Sequence, residues 1–360
     1  MFRRVLVPLG GATTDSTRER SALELARRLA EREGARLVLL HVDRASAAGA
    51  TDETEIGRTQ MATHGAVINH AAELRRIGVP VSVHFASGAP DQSIASTARE
   101  EHADLIVLAP HQRPLLRTLL QPGVTNHLMR RAPAPLLILP ERLHGTRDAA
   151  AESALDATLA DGTAAPVIVP LDGGHEAERA LPLAAAFAWA HRRTLLLVTV
   201  VAPLPAIVGM EMAYPAVALP TAADLPEDRL RESLRYLGGV RRELRAHSPD
   251  LAVQTTGRIG EVAPVVADLA AAHPGSIVVM TTHGRGRALR LLLGSVAMEL
   301  LSLTPAPLLI VPPRRRTLRR IDDTRVRVEA AGATAVMDAA DTDAGRLESP
   351  PDALGPRPTF

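Results

Sequence analysis

Residues 280–296 read MTTHGRGRALRLLLGSV and gather, in one stretch, the residue types that grip an anion. Gly284 and Gly286 allow positive φ and let backbone amides approach a ligand closely. Arg285, Arg287 and Arg290 offer guanidinium groups that can clamp phosphate oxygens in pairs. Gly294-Ser295 then places a small turn and an N-cap hydroxyl at the start of an apolar helix, where free N–H groups and the helix dipole favour a phosphate. The chemistry this pattern suits is the wrapping of a polyphosphate, with ATP the expected ligand.

Two other stretches are expected to converge on the same place. In Pro170-Leu171-Asp172-Gly173-Gly174, Asp172 can accept hydrogen bonds from ribose hydroxyls or help hold a divalent cation such as Mg2+. Around Val200, backbone N–H and C=O groups could read an adenine edge. The candidate nucleotide contacts are therefore Pro170, Leu171, Asp172, Gly173, Val200, Met280, Thr281, His283, Gly284, Arg285, Gly286, Gly294, Ser295 and Val296. No side chain among them stands out as a base that would activate water, so binding with at most slow hydrolysis is expected.

Plainer readings stand beside this one. A glycine–arginine loop can be a solvated turn, and it is the company of Asp172 and Gly294-Ser295 that favours a ligand. Gly284-x-Gly286 is not a dinucleotide fingerprint, because Leu289 sits at the third glycine position and the loop follows a fourth strand rather than a first. His64, His70 and His84 match no HExxH or similar metal spacing and are expected in structural or surface roles.

What must position these residues is legible in patterning. Short Val/Leu/Ile runs at 5–8, 37–42, 79–85, 105–109 and 136–139 are apolar on both parities, as in strands buried on both faces. Between them lie amphipathic stretches such as Ser16 to Glu33, with Leu23, Ala26, Leu29 and Ala30 on one face. The order repeats later: strand 167–170, helix about 175–191, strand 195–200, helix about 227–247, strand 251–255, helix about 261–273, strand 277–281, the glycine–arginine loop, a helix from Ser295, and strand 308–311. Alternation of this kind predicts parallel sheets with helices on both faces, five strands in each of two units.

The repeat is visible directly. APLLILP from Ala134 and APLLIVP from Ala306 lie 172 positions apart, and the same spacing brings ADLIVLAPHQ onto GSIVVMTTHG and His111 onto His283. RVLVPL and PVIVPL lie 162 apart, so indels must absorb ten residues. The expected units are residues 1–140 and 166–313, joined by a linker, 141–165, with at most a helical turn. A tail from 314 to 360, arginine-rich at first and then rich in Asp, Ala, Thr, Pro and Gly, offers too little apolar surface to offset ordering entropy and is expected to be disordered.

Composition removes several functions. The chain has no lysine, which excludes a P-loop, Schiff-base chemistry and a lysine-dependent kinase site. With no cysteine there are no disulfides and no thiolate zinc site, which fits a cytoplasmic protein. A net charge of +1 gives no field that recruits nucleic acid. Residues 194–210 could imitate a membrane span, but Pro203 and Pro205 interrupt them and Glu211 follows, so a buried strand entering a Pro-rich loop is expected and no membrane span.

The spacing Thr281-x-x-Gly284, nine residues, then Gly294-Ser295 resembles the universal stress protein signature, in which Thr281 stands where the family has its first glycine. VPLD followed by a helix resembles the first strand and acidic residue of that family. The likeness covers both units, so the chain resembles a tandem member. It implies two Rossmann-like domains of the adenine nucleotide alpha hydrolase type, ATP as ligand in the nucleotide-binding subgroup, and assembly through the last strand. Here that assembly is read as an intramolecular pseudo-dimer, with a homodimer and an unidentified protein partner as further expectations.

The first unit departs from the signature. Gln112 replaces Gly284, Pro122 replaces Gly294, Gly123 replaces Ser295, and Gly10 stands where Asp172 would be. Pro122 removes an amide and the N-cap hydroxyl is missing, so this half is expected not to bind ATP in the same way. Three functional classes stay open on sequence: a nucleotide-dependent stress-response regulator, a nucleotide-free interaction scaffold, and a slow ATPase or phosphotransferase.

Overall fold

A computed structural model describes residues 1–10, 17–43, 53–109, 124–140, 157–160, 162, 165–203, 225–282 and 295–313. The first half runs β1 (Arg4–Leu9), α1 (Thr17–Glu33), β2 (Arg36–Asp43), α2 (Glu53–Arg76), β3 (Val81–Ser87), α3 (Pro90–Glu100), β4 (Leu105–Leu108), α4 (Val124–Arg131) and β5 (Leu136–Ile138). The second repeats that order with one helix split: β6 (Val167–Pro170), α5 (His175–Glu178), α6 (Leu181–Ala190), β7 (Leu195–Val201), α7 (Pro226–His247), β8 (Val253–Ile259), α8 (Val262–Ala271), β9 (Ile277–Thr281), α9 (Ser295–Leu303) and β10 (Leu308–Val311). The single helix expected over 175–191 breaks because Pro182 has no N–H to give to the carbonyl four residues back.

The ten strands form one sheet in the order β3-β2-β1-β4-β5-β10-β9-β6-β7-β8. All neighbours are parallel except β5 and β10, which meet antiparallel at the centre. In that pair Leu137 faces Leu309, and these are the same position of the two repeats, 172 residues apart. The repeat therefore pairs with itself across a pseudo-twofold axis, the isologous geometry of a symmetric dimer placed inside one chain. The last strands do join the two halves, as the family resemblance implied.

Strand cores follow from the sheet's two covered faces. Alternate residues point to opposite sides, so Val5, Val7, Leu37, Leu39, Val167, Val169, Leu195 and Leu197 pack under α1, α2, α6 and α7. Leu6, Val38, Leu40, Ile168, Leu196 and Val198 pack under α3, α4, α8 and α9. The edge strands β3 and β8 are only half-buried, and both sit two residues later at their start than the apolar runs suggest, since their outer rims carry polar side chains. On the α1 and α6 side the halves also touch through His191 Nε2, 3.6 Å from Glu33 Oε1.

Register explains the two repeat offsets. Val5 pairs with Leu37 and Val167 with Leu195, so the β1–β2 connection is four residues longer than β6–β7. Leu37 pairs with Val81 and Leu195 with Val253, making the β7–β8 connection fourteen longer than β2–β3. The difference is the ten residues that separate the offsets of 162 and 172.

Residues 157–159 form a helical turn inside the expected linker, and Leu159 is buried. The tail after 313 lies outside the described residues. Among the described residues, no helix is long and apolar enough to cross a membrane. The apolar stretch from Thr194 enters β7, which is buried in the sheet.

Candidate nucleotide-binding site

In each half the chain leaves β1 or β6 toward one face of the sheet and β4 or β9 toward the other, so the order reverses between those two strands. An open parallel sheet forms its ligand crevice at that point, beyond the carboxyl ends. The backbone shows the crevice opening. Pairing of β6 with β9 ends at Ile168–Val278, although β6 continues to Pro170 and β9 to Thr281. The corresponding pairing of β1 with β4 ends at Leu6–Ile106.

The wall formed by β6 is held on its other side. Leu171 is buried, and its N–H donates to the carbonyl of Val198 at 2.7 Å. Asp172 then stands exposed at the rim, where its Oδ1 accepts from the Gly174 N–H at 2.8 Å. That Asx turn requires the chain to reverse at Gly173, whose φ of +75° is one a side chain would resist. A carboxylate is thus fixed at the mouth of the crevice by its own backbone.

Val200 lies near the carboxyl end of β7, two residues after Val198. Backbone groups alternate in direction along a strand, so the N–H and C=O of Val200 point as those of Val198 do, toward β6. The last residue of β6 paired with β7 is Pro170, opposite Val198, so Val200 addresses the space past the end of β6. On its outer side β7 is closed by β8, with the Gly260 N–H donating to Val201 O at 2.9 Å.

The third wall is β9. Met280, Thr281 and Thr282 are all buried at its carboxyl end. Ser295 begins α9 and Val296 is half-buried in its first turn. His283, Gly284, Arg285, Gly286 and Gly294 lie outside the described residues, as do Arg287, Arg290 and the Ser295 side chain. Of the residues singled out in sequence, the structure therefore brings Pro170, Leu171, Asp172, Gly173, Val200, Met280 and Thr281 to one edge of the sheet, with the start of α9 following β9.

The first half builds the same edge differently. Gly10 occupies the Asp172 position, and its N–H donates at 3.0 Å to Oε1 of Glu19, a buried carboxylate in the first turn of α1. Residues 110–123, with His111, Gln112, Pro122 and Gly123, lie outside the described residues. His70 and His84 take up surface roles, 3.8 Å from Glu73 and 3.1 Å from Glu101. His64, exposed to the same degree, meets His41 and Asp43 in a cluster.

Comparison with known proteins matches this duplicated architecture. The profile of the Universal stress protein family matches residues 1–140 and again 164–312. The chain belongs to the universal stress protein family. Among solved structures it is similar to a universal stress protein from Archaeoglobus fulgidus DSM 4304, at 15% identity and a TM-score of 0.57, over 85% of this chain and 96% of that one. A putative universal stress protein from Pseudomonas aeruginosa UCBPP-PA14 is similar at 17% identity and a TM-score of 0.52, over 92% of this chain and 98% of that one. A universal stress protein solved in complex with cAMP aligns with 38% of this chain and 96% of its own, at 17% identity and a TM-score of 0.31. No curated protein matches the chain.

Proposed function

We propose that this universal stress protein binds ATP in the crevice of its second half, residues 166–313, and acts as a nucleotide-dependent stress-response regulator. The observation that carries this reading is the convergence of Asp172, the Val200 backbone and the end of β9 at the point where β6 and β9 part. The segment that bridges from β9 to α9 carries the Gly284, Gly286 and Gly294-Ser295 pattern, so its amides would face the phosphates from a helix start. Arg285 would add charge there, Asp172 would meet the ribose or a Mg2+ ion, and the Val200 backbone would meet the base. Binding rather than turnover is the activity, and occupancy of the crevice would alter the surface offered to a protein partner.

The first half, residues 1–140, serves as the structural partner in the intramolecular pair. Its Gly10 amide is already taken by Glu19, and that carboxylate would repel a phosphate brought to the same place. Calorimetric titration of Mg-ATP into the wild type, Asp172→Ala and Gly294→Ala tests the assignment, together with mass spectrometry of nucleotide released from denatured protein. One site per chain, weakened at least about tenfold by either substitution, supports it; a tenfold loss is about 1.4 kcal/mol. Equal binding by Gly294→Ala places the phosphates elsewhere.

A further inference from the structure

His41 and Asp43 are two residues apart on β2 and so share a face. It is the face on which Leu37 and Leu39 pack beneath α1 and α2. His64 comes from α2, three residues before Val67 and seven before Ala71, both buried in that same core. Sheet and helix thereby bring the three side chains together at the carboxyl end of β2. Asp43 Oδ1 lies 3.3 Å from His41 Nε2, and its Oδ2 lies 3.0 Å from His64 Nε2. All three ligand atoms fall within 4.8 Å of one another, and among the described residues no other such group of His, Asp and Glu forms.

The partner of the other His41 nitrogen decides what this cluster suits. Nδ1 is 3.0 Å from the carbonyl of Leu9, which can only accept, so Nδ1 carries a proton and Nε2 is left to face Asp43, whose carboxylate would accept from a protonated Nε2 or share a cation with a deprotonated one. Metal-ligating histidines are oriented in this way, with the far ring nitrogen donating to a backbone carbonyl. His41 is 3% exposed and cannot swing out to water. Phe85 of β3 packs against the His64 ring at 4.1 Å between centroids. Ligand atoms around a tetrahedral ion at about 2.0–2.1 Å stand about 3.3 Å apart; the two carboxylate–imidazole distances are of that size but run to different oxygens of Asp43, so an ion held by all three residues would meet both oxygens or a turned carboxylate. The two imidazole nitrogens lie within 4.8 Å of each other, and a third of the His64 side chain is exposed.

Among the described residues the second half has nothing equivalent. Gly88 N–H donates to Asp43 O as Gly260 N–H does to Val201 O, which makes Val201 the counterpart of Asp43 and Thr199 that of His41. Gly257 stands where Phe85 does. The cluster is therefore no by-product of the fold, which forms without it in the other repeat.

We propose that His41, Asp43 and His64 bind one divalent transition-metal ion of the zinc class in the first half of the chain. Two imidazoles and one carboxylate suit Zn2+ or Co2+ and leave a position for water. The site is independent of nucleotide binding in the second half.

Full-length protein stripped with a chelator and titrated with Co2+ should develop the visible absorption of tetrahedral cobalt, saturating at one ion per chain, and Zn2+ should abolish it. His64→Ala and Asp43→Asn should weaken Zn2+ binding by at least about 100-fold, the upper end of what loss of a mere supporting residue costs. His84→Ala should bind as the wild type does. Thermal melts of the metal-free proteins identify any variant that has lost its fold, and His64 is exposed enough for its replacement to leave the core intact. Absence of uptake by the wild type, or equal affinity in folded His64→Ala and wild type, overturns the proposal.

Discussion

Replacing Arg193 with methionine should remove a large part of the stability of the second half while leaving its crevice untouched. Arg193 precedes β7 at the amino end of the sheet, and only 2% of it is exposed. Its Nε donates to Ala165 O at 2.7 Å, Nη1 to Thr158 O at 2.6 Å and Nη2 to Gly275 O at 2.5 Å. One side chain thus ties the 157–160 segment, the entry to β6 and the turn before β9. Burial holds its pKa down to about 10, so the guanidinium is charged at neutral pH, and the three carbonyls are what offset its desolvation. Methionine fills similar space and donates nothing. Each carbonyl left dry costs about 1–3 kcal/mol, partly returned because no charge is buried any longer, for a net loss of about 3–5 kcal/mol. With a urea slope of about 1–3 kcal/mol/M, the midpoint should fall by at least about 1 M. ATP affinity measured on folded protein should not change, since Arg193 and the crevice lie at opposite ends of the strands. A midpoint shift below about 0.3 M would mean that water reaches those carbonyls, and would refute the dry clamp.

The same junction makes a second test. At Gly275, φ is +82° and an added Cβ would stand 2.5 Å from Ala157 Cβ and 3.0 Å from the Ala157 carbonyl carbon, so Gly275→Ala should cost about 2–3 kcal/mol in urea denaturation. Gly257→Ala should cost less, about 1 kcal/mol, because its Cβ meets side-chain ends at Leu230 and Leu234; the opposite ranking would be evidence against this packing. Truncating Leu137 or Leu309 to alanine at the pseudo-twofold axis should each cost about 2–5 kcal/mol, and a cost below 1 kcal/mol for both would show that the central pair is not a packed core. The hydrogen bond from Arg27, reinforced by Arg28, holds the Glu24 carboxyl down at about 2 against an ordinary 4.5. Its contribution is fully present above pH 4.5 and is lost as pH falls toward 2, so Glu24→Gln should flatten the acid side of the stability profile; an NMR titration of the Glu24 carboxyl with its midpoint near 4.5 would contradict this.

Much of the architecture was legible because it depends on local patterns. Runs such as Leu105–Leu108 and Ile277–Thr281, short and apolar on both parities, have the pattern of strands covered on both faces, and their duplication set the number of units. Boundaries slipped at the edges, where β3 and β8 carry polar side chains on one rim, and at Pro182, where a missing donor ended one helix and began another. Pro170, Asp172 and Thr281 could be assigned to one edge because every parallel strand in such a sheet ends on the same side. The His41–Asp43–His64 cluster could not be assigned. Its one local trace is the His-x-Asp alternation in β2, and the partner arrives from a helix 21 residues beyond Asp43.

The sequence alone determined the alternation of strand and helix, the twofold repeat, the absence of lysine and cysteine chemistry, and the glycine, serine and aspartate pattern, since each is a property of residue type and spacing. Only the tertiary structure decided that the repeats fuse antiparallel through Leu137 and Leu309 into one sheet, that Arg193 draws the 157–160 segment onto the second half, and that two imidazoles and a carboxylate meet in the first. Those outcomes depend on register and on packing between elements distant in the chain, where free energy is set by pairs of surfaces and is not written in either surface by itself.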